Sequence, residues 1–217
     1  MRKILLIAAA AVVSANLSAQ ETRFGAKAGY SLSTLKFKDG GNSENSDPSH
    51  TFYVGGLVEH KLSDKFALQG EVLYSPLGGR LDAEEGSDEA MVGAKAKITF
   101  GTLLVPVSAK YFITESLSVS AGASFGFILS AKTKYDVNVG LGLPGLDVAI
   151  GDEVDIKDQT NTLNIAPFLG AEYALENGLF FDARYNMGVS NLAKDSGDGK
   201  LTNSFLQVGV GFKFGGN

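Results

Sequence analysis

Ten charged side chains stand in stretches where polar and apolar residues alternate: Arg23, Lys27, Glu59, Lys61, Glu71, Lys110, Glu172, Asp182, Arg184 and Lys213. All ten share the polar parity of their stretch. Six cations and four anions brought into one narrow interior must pair, because an unpaired buried charge is costly. Such a set has two chemistries open to it. It forms a closed ion-pair network, or it lines a path for a small ion or a proton. Glu71 and Arg184 lie mid-stretch and on the same parity, and are the expected central pair.

Other chemistries find less support. There is no Cys, hence no thiolate nucleophile, disulfide framework or Cys-based metal site. His50 and His60 are the two histidines. No Ser/His/Asp grouping accompanies them at a convincing spacing. The glycines lie within alternating stretches and at turns, not in a strand-to-helix phosphate loop. No catalytic residue, cofactor or metal ligand is expected. "LDAEEGSDEA" (81–90) carries Asp82, Glu84, Glu85, Asp88 and Glu89 without EF-hand spacing, and reads as a solvated loop. Lys36, Lys38, Lys95 and Lys97 sit just beyond the apolar stretches, on or near the apolar parity, and have two readings: ordinary solvated rim residues, or contacts to lipid phosphates of the outer leaflet.

The elements that hold these residues are β-strands. "LSVSAGASFGFILSA" (117–131) shows the period clearly. Its odd positions run Leu117, Val119, Ala121, Ala123, Phe125, Phe127, Leu129 and Ala131, and its even positions are mostly Ser and Gly. Its segment runs over 117–133, and seven further segments share the pattern: 22–35, 51–62, 66–75, 98–113, 161–175, 179–191 and 204–214. "LSDK" (62–65), "TES" (114–116) and "LENG" (175–178) are short, turn-like spacers. The stretches near 36–50, 76–97, 134–160 and 192–203 are longer. Short turns at one end and long loops at the other predict an antiparallel up-and-down meander. Within 134–158, "YDVNVGL" and "LDVAIGDEVDI" alternate around "GLPG", which predicts a hairpin arm whose edge can add a partner strand.

The charges decide which way the strands face. No Lys, Arg, Asp or Glu falls on the apolar parity of the eight segments. A soluble β-protein hides its large apolar side chains and shows water a bulky charged face. Here the charged face is sparse and rich in Ser and Gly, which suits a crowded interior. The apolar face therefore points outward into lipid. A tilted strand crosses a bilayer in roughly 9–11 residues, and the segments are about that long or longer. Aromatics cluster near strand ends, among them Phe24, Tyr30, Phe52, Phe66, Tyr74, Phe100, Tyr111, Phe112, Tyr173, Phe181, Tyr185, Phe212 and Phe214, as two interfacial girdles would require. Trp is absent. The expectation is an all-β, eight-stranded antiparallel up-and-down transmembrane β-barrel over residues 20–217.

Residues 1–19 differ in kind. "MRK" is basic, "ILLIAAAAVV" (4–13) is apolar, and small residues lead to Ala19. This predicts a secretory signal peptide cut after Ala19, with Ala15 as the alternative. Without it, 17 basic residues stand against 24 acidic ones, a formal charge of −7, which argues against a nucleic-acid partner.

The motifs carry a resemblance. "LQGEVLYSPLG" (68–78), "LLVPVSAKYFI" (103–113), "ARYNMGVSNL" (183–192) and the closing "GFKF" (211–214) are similar, in order and spacing, to the PorT-like outer-membrane β-barrel family of Bacteroidetes, with the eight-stranded architecture also known from OmpA and OmpX. Gly70 departs from that pattern, where Pro is frequent, as does the "GGN" tail. The resemblance implies outer-membrane location and says little about activity. Three readings follow. The first is a non-enzymatic structural or interaction barrel with a plugged lumen and outer-membrane lipid around it, with a protein partner at the 134–158 loop. The second is a small ion or solute channel of the same fold. The third is a soluble, lipocalin-like ligand-binding barrel.

Overall fold

The computed structural model describes residues 22–87, 90–140, 148–194, 197 and 199–215. The expected signal peptide, residues 1–19, lies outside the described residues, as do the side chains of Asp82, Glu84, Glu85, Asp88 and Glu89.

Eight antiparallel strands form a closed wall: β1 (Thr22–Asp39), β3 (Asp47–Lys61), β4 (Phe66–Ser87), β5 (Ala90–Phe112), β6 (Leu117–Gly140), β8 (Leu163–Ala174), β9 (Leu179–Asn186) and β10 (Lys200–Phe214). Each pairs with its neighbour around the ring, and β10 pairs with β1 from Phe24↔Phe214 to Lys38↔Lys200, so the wall has no open edge. Two further strands, β2 (Asn42–Asn45) and β7 (Val148–Asp155), lie outside the ring and pair with the long-loop ends of β1 and β6. The barrel is thus eight-stranded although ten strands are present.

Side-chain alternation sets the register. Phe24, Val54, Val72, Val107, Phe125, Leu169, Phe181 and Val210 are exposed on the outer surface, while Lys27, Glu71, Ser108, Ser124 and Arg184 are buried inside. A slip of one residue would exchange these faces and drive charges into lipid.

Three expectations are corrected. Residues 76–87 and 90–97 are strand, not loop: β4 continues to Ser87 and β5 begins at Ala90, paired throughout this extension. Residues 76–80 still belong to the wall, where Leu77 is buried and Gly79 and Arg80 pair with β3; beyond them the two-sided alternation fades because an extension clear of the bilayer has no apolar surroundings to demand it. Ala131 is buried, not lipid-facing. The pairing steps from Gly101↔Ser130 to Thr102↔Ile128, leaving Leu129 as an extra residue, and this bulge reverses the facing of β6 beyond it. Phe100 is buried inside the barrel rather than in a girdle.

Beyond the wall, β4, β5, β6 and β7 remain paired as one four-stranded sheet, with β5–β6 pairing reaching Met91↔Gly140 and β6–β7 reaching Val139↔Val148. The hairpin expected within 134–158 is therefore the edge of a larger arm; its tip, 141–147, lies outside the described residues. Ten residues of such an extension span about 30 Å.

Candidate functional site

The inward side chains form layers. Nearest the short turns, Lys110 and Lys213 each donate to both Glu59 and Glu172, at 2.6 and 2.7 Å for Lys110 and at 2.7 and 2.5 Å for Lys213. This places two ammonium groups and two carboxylates in a four-membered square. Deeper in, Arg184 grips Glu71 with two N–H groups, Nη1 to Oε1 at 3.1 Å and Nη2 to Oε2 at 2.6 Å. Lys27 joins Asp182 at 2.7 Å and Glu71 at 3.4 Å. Gln69 ties the two groups together: its amide N–H donates to Glu71 at 2.6 Å, and its carbonyl oxygen accepts from Lys110 at 3.2 Å. Strands β1, β3, β4, β5, β8, β9 and β10 all contribute, so the network staples the wall across its diameter.

Four cations face four anions, and the set is formally neutral. Seven of the eight ions have more than one partner or are held bidentately, the condition under which buried ion pairs are tolerated; Asp182 has Lys27 alone, and its Oδ1 is buried without a hydrogen-bond partner, as is Arg184 Nε. Arg23 and Lys61, expected in the same network, are only part-buried near the short-turn end and join no ion pair among the described residues; Lys61 instead lies 5.2 Å over the Phe112 ring. Both stand toward the rim, where part-exposure removes the need for a buried counter-charge. Beside the network is a space of about 20 Å³, lined by Glu71, Lys110, Asp182 and Arg184 among others. That is about the room of a single water.

Above the ions the lumen turns apolar. Tyr53, Leu73, Leu77, Leu104, Ala166 and Phe205 pack as one buried cluster. Nearer the long loops, Leu35, Phe100, Ile128 and Ala131 pack with Leu192, which descends from the β9–β10 connection and is fully buried. Backbone bonds fix that connection: Asn161 N–H donates to Leu192 O at 2.8 Å, and Leu192 N–H to Leu201 O at 2.7 Å. Small polar groups fill the gaps between, as where Ser124 donates to Asn186 at 2.7 Å and Asn203 to Ser33 at 2.8 Å. Parity reasoning missed this plug. Its signal was present in "FYVGGLVEHK", where Tyr53 and Leu57 make the inward parity apolar too. Tyr53 fits because the wall facing it is bare: a Cβ on Gly29 or Gly209 would lie 2.7 or 2.1 Å from its hydroxyl oxygen.

The family model described as "Outer membrane protein beta-barrel domain" matches residues 17–194. The chain belongs to this family. Its location is the outer membrane. A search of curated proteins found no match. Among solved structures the barrel is similar to the attachment invasion locus protein Ail of Yersinia pestis, with 17% identity over 89% of this chain and 99% of that one, TM-score 0.45. It is also similar to Neisserial surface protein A, with 17% identity over 88% and 97%, TM-score 0.40. A third is OprG of Pseudomonas aeruginosa, with 13% identity over 90% and 97%, TM-score 0.40.

Membership overturns the lipocalin-like reading: the exposed apolar band is a lipid contact, and the plugged interior is not a ligand cup. Short turns of outer-membrane barrels face the periplasm and long loops the outside. The ionic square is therefore periplasmic, Leu192 corks the outer mouth, and the β4–β7 sheet projects from the cell. Lys36 and Lys38 are exposed on the outer side of β1, near Lys200 of β10. Lys95 and Lys97 are exposed on β5 within the projecting sheet, with Asp136 and Lys134 as their β6 partners. On its β7 side, Lys132 and Lys134 reach Glu153 at 2.5 and 3.3 Å. His60 bonds Thr22 at 3.0 Å and His50 bonds Tyr30, both local contacts of the outer wall.

Proposed function

We propose that the chain is a PorT-like barrel of the Bacteroidetes type, exported by residues 1–19, which anchors an interaction surface outside the cell and neither conducts nor catalyses. The observation that carries this reading is the contrast between a lumen occupied by an ion-pair network and two apolar clusters and a sheet that continues beyond the wall. An ion path would have to cross the neutral ionic square, the Tyr53 cluster and the Leu192 cork, so the packing favours the closed barrel over the channel. The arm, by contrast, ends at β7, which has no strand on its far side among the described residues. A strand of this kind offers its backbone N–H and C=O groups to an extended segment of another protein.

Two measurements test the reading. The purified barrel in planar bilayers gives no conductance steps above background; regular steps, abolished by Arg184→Ala, would establish the channel instead. A photo-crosslinking residue at Val154, exposed on β7, captures one discrete protein in intact outer membranes. Deleting 138–148 removes that product while the barrel still assembles. No crosslink beyond background at Val154 sinks the interaction reading.

A further inference from the structure

The outer wall carries a groove of about 500 Å³ where β1 and β10 rise toward the long loops, beside the segment following β9. Three exposed lysines line it: Lys36, Lys38 and Lys200. Thr34, Thr202 and Ser204 add hydroxyls between them. Tyr185, Met187 and Val189 form its apolar flank, and all three are exposed, continuous with the lipid-facing band.

Three features point to an anionic occupant. No Asp or Glu lines the groove, although acids outnumber bases in the chain. Lys38 and Lys200 are direct cross-strand partners, and Lys36 stands opposite Thr202. Like charges directly opposed across a ladder are destabilising, so the wall holds a repulsion that a shared anion between them would remove. On the arm, Lys132 and Lys134 have Glu153 beside them and Lys95 stands opposite Asp136, whereas Lys97 stands between Arg80 and Lys134 but lines no part of this groove.

The flank identifies the kind of anion. The groove opens sideways toward lipid, at the outer end of the apolar band, where headgroups of the outer leaflet lie. An anion there with apolar chains attached would set its charge among the ammonium groups and its chains against Tyr185, Met187 and Val189. We propose that this groove seats the phosphorylated headgroup of an outer-leaflet glycolipid, with Lys36, Lys38 and Lys200 as its phosphate contacts. The site is independent of any partner of the arm. It separates Lys36 and Lys38 from Lys95 and Lys97, which line no part of this groove.

The test uses the full barrel, folded in detergent, with native mass spectrometry reading bound lipid. Lipid A is the probe, beside the same glycolipid stripped of phosphate and inorganic phosphate alone. The wild-type barrel retains one lipid A. The K36Q/K38Q/K200Q variant loses it, each lysine contributing about fivefold to retention. K95Q/K97Q retains it as wild type does. The stripped lipid is held as weakly as by the triple variant, and inorganic phosphate does not displace lipid A. Heat-modifiable gel migration confirms that each variant is folded; the single K200Q variant, about fivefold weaker, serves if the triple variant does not fold. Equal retention of lipid A by wild type and the folded lysine variant overturns the proposal. So does equal binding of the stripped lipid, or displacement by inorganic phosphate, which would make the groove a free-anion site.

Discussion

Lys27, Lys110 and Lys213 inside the barrel and Lys36, Lys38 and Lys200 outside it occupy the same wall and differ in every other respect. Each inner lysine is buried and touches two carboxylates. The outer three are exposed and line a groove without an acid. Where neither water nor lipid headgroups can reach, the sequence must supply the counter-charge, and it does so on four different strands. At the rim, the surroundings supply it. Pairing inside and bareness outside are therefore two answers to one requirement, and each is open to attack by changing one partner.

The largest effect is expected inside. Arg184→Met leaves Glu71 with the Gln69 hydrogen bond and, as its one cation, Lys27 at the longer 3.4 Å, and should destabilise the barrel by about 3–5 kcal/mol, as removal of one partner of a buried pair does. Adding Glu71→Leu should recover most of that loss, because Lys27 and Asp182 keep their own 2.7 Å pair. Urea unfolding in lipid vesicles, followed by gel migration, measures both. Equal instability of the single and double variants would mean that the pair is held for some reason other than charge balance.

The outer wall is tested at adjacent residues of β6. Phe125 is 37% exposed and faces lipid, while Ser124 is 1% exposed and faces the lumen. Phe125→Lys should cost about 2–4 kcal/mol if it lies near the bilayer midplane. Ser124→Ala should cost about 1 kcal/mol, for the hydrogen bond to Asn186. The same unfolding assay compares them, and equal tolerance would contradict the assignment of faces.

How much of this was legible in the sequence follows from the same two-sided logic. A residue between lipid and lumen meets two unlike environments, so alternation marks the wall strands and their facing. Parity and mid-strand position were enough to put Glu71 and Arg184 together. They carried no information on depth, which is why Arg23 and Lys61 looked like network members. Nor could they announce Gln69, whose amide bridges two charged groups without a charge of its own. The bulge at Leu129 hid the turn of Ala131 toward the lumen, since one extra residue leaves composition unchanged. The arm was only half visible. "YDVNVGL" kept an alternating pattern, but 81–97 did not, because a sheet in water is held by its ladder hydrogen bonds rather than by an apolar face. Lys200 escaped notice because it lies at the start of a strand, and only closure of β10 on β1 sets it opposite Lys38.

The smallest effect is expected on the arm, where lysines meet acids in full contact with water. Hydrogen bonds from Lys132 and then Lys134, with their charges, hold the Glu153 carboxyl below its usual 4.5. The hydrogen bond and charge of Glu153 in turn hold Lys132 above its usual 10.5. A carboxylate with a lowered folded value contributes its stabilisation above its unfolded value and loses it as pH falls through the folded one. The lysine contributes below its unfolded value and loses its share as pH rises through the raised one. The β6–β7 pairing should thus be indifferent to pH across the neutral range and loosen only in acid below 4.5 or in alkali above 10.5. Carbon-detected NMR of the Glu153 carboxyl should show a midpoint below 4.5 that Lys132→Met moves back toward that value. Added salt should shrink the difference, because exposed pairs are screened. A midpoint unchanged by Lys132→Met would show that the contact is too loose to matter. The arm's edge would then be held by its backbone ladder alone, and the contrast between paired and bare lysines would belong to the barrel wall and not to the sheet above it.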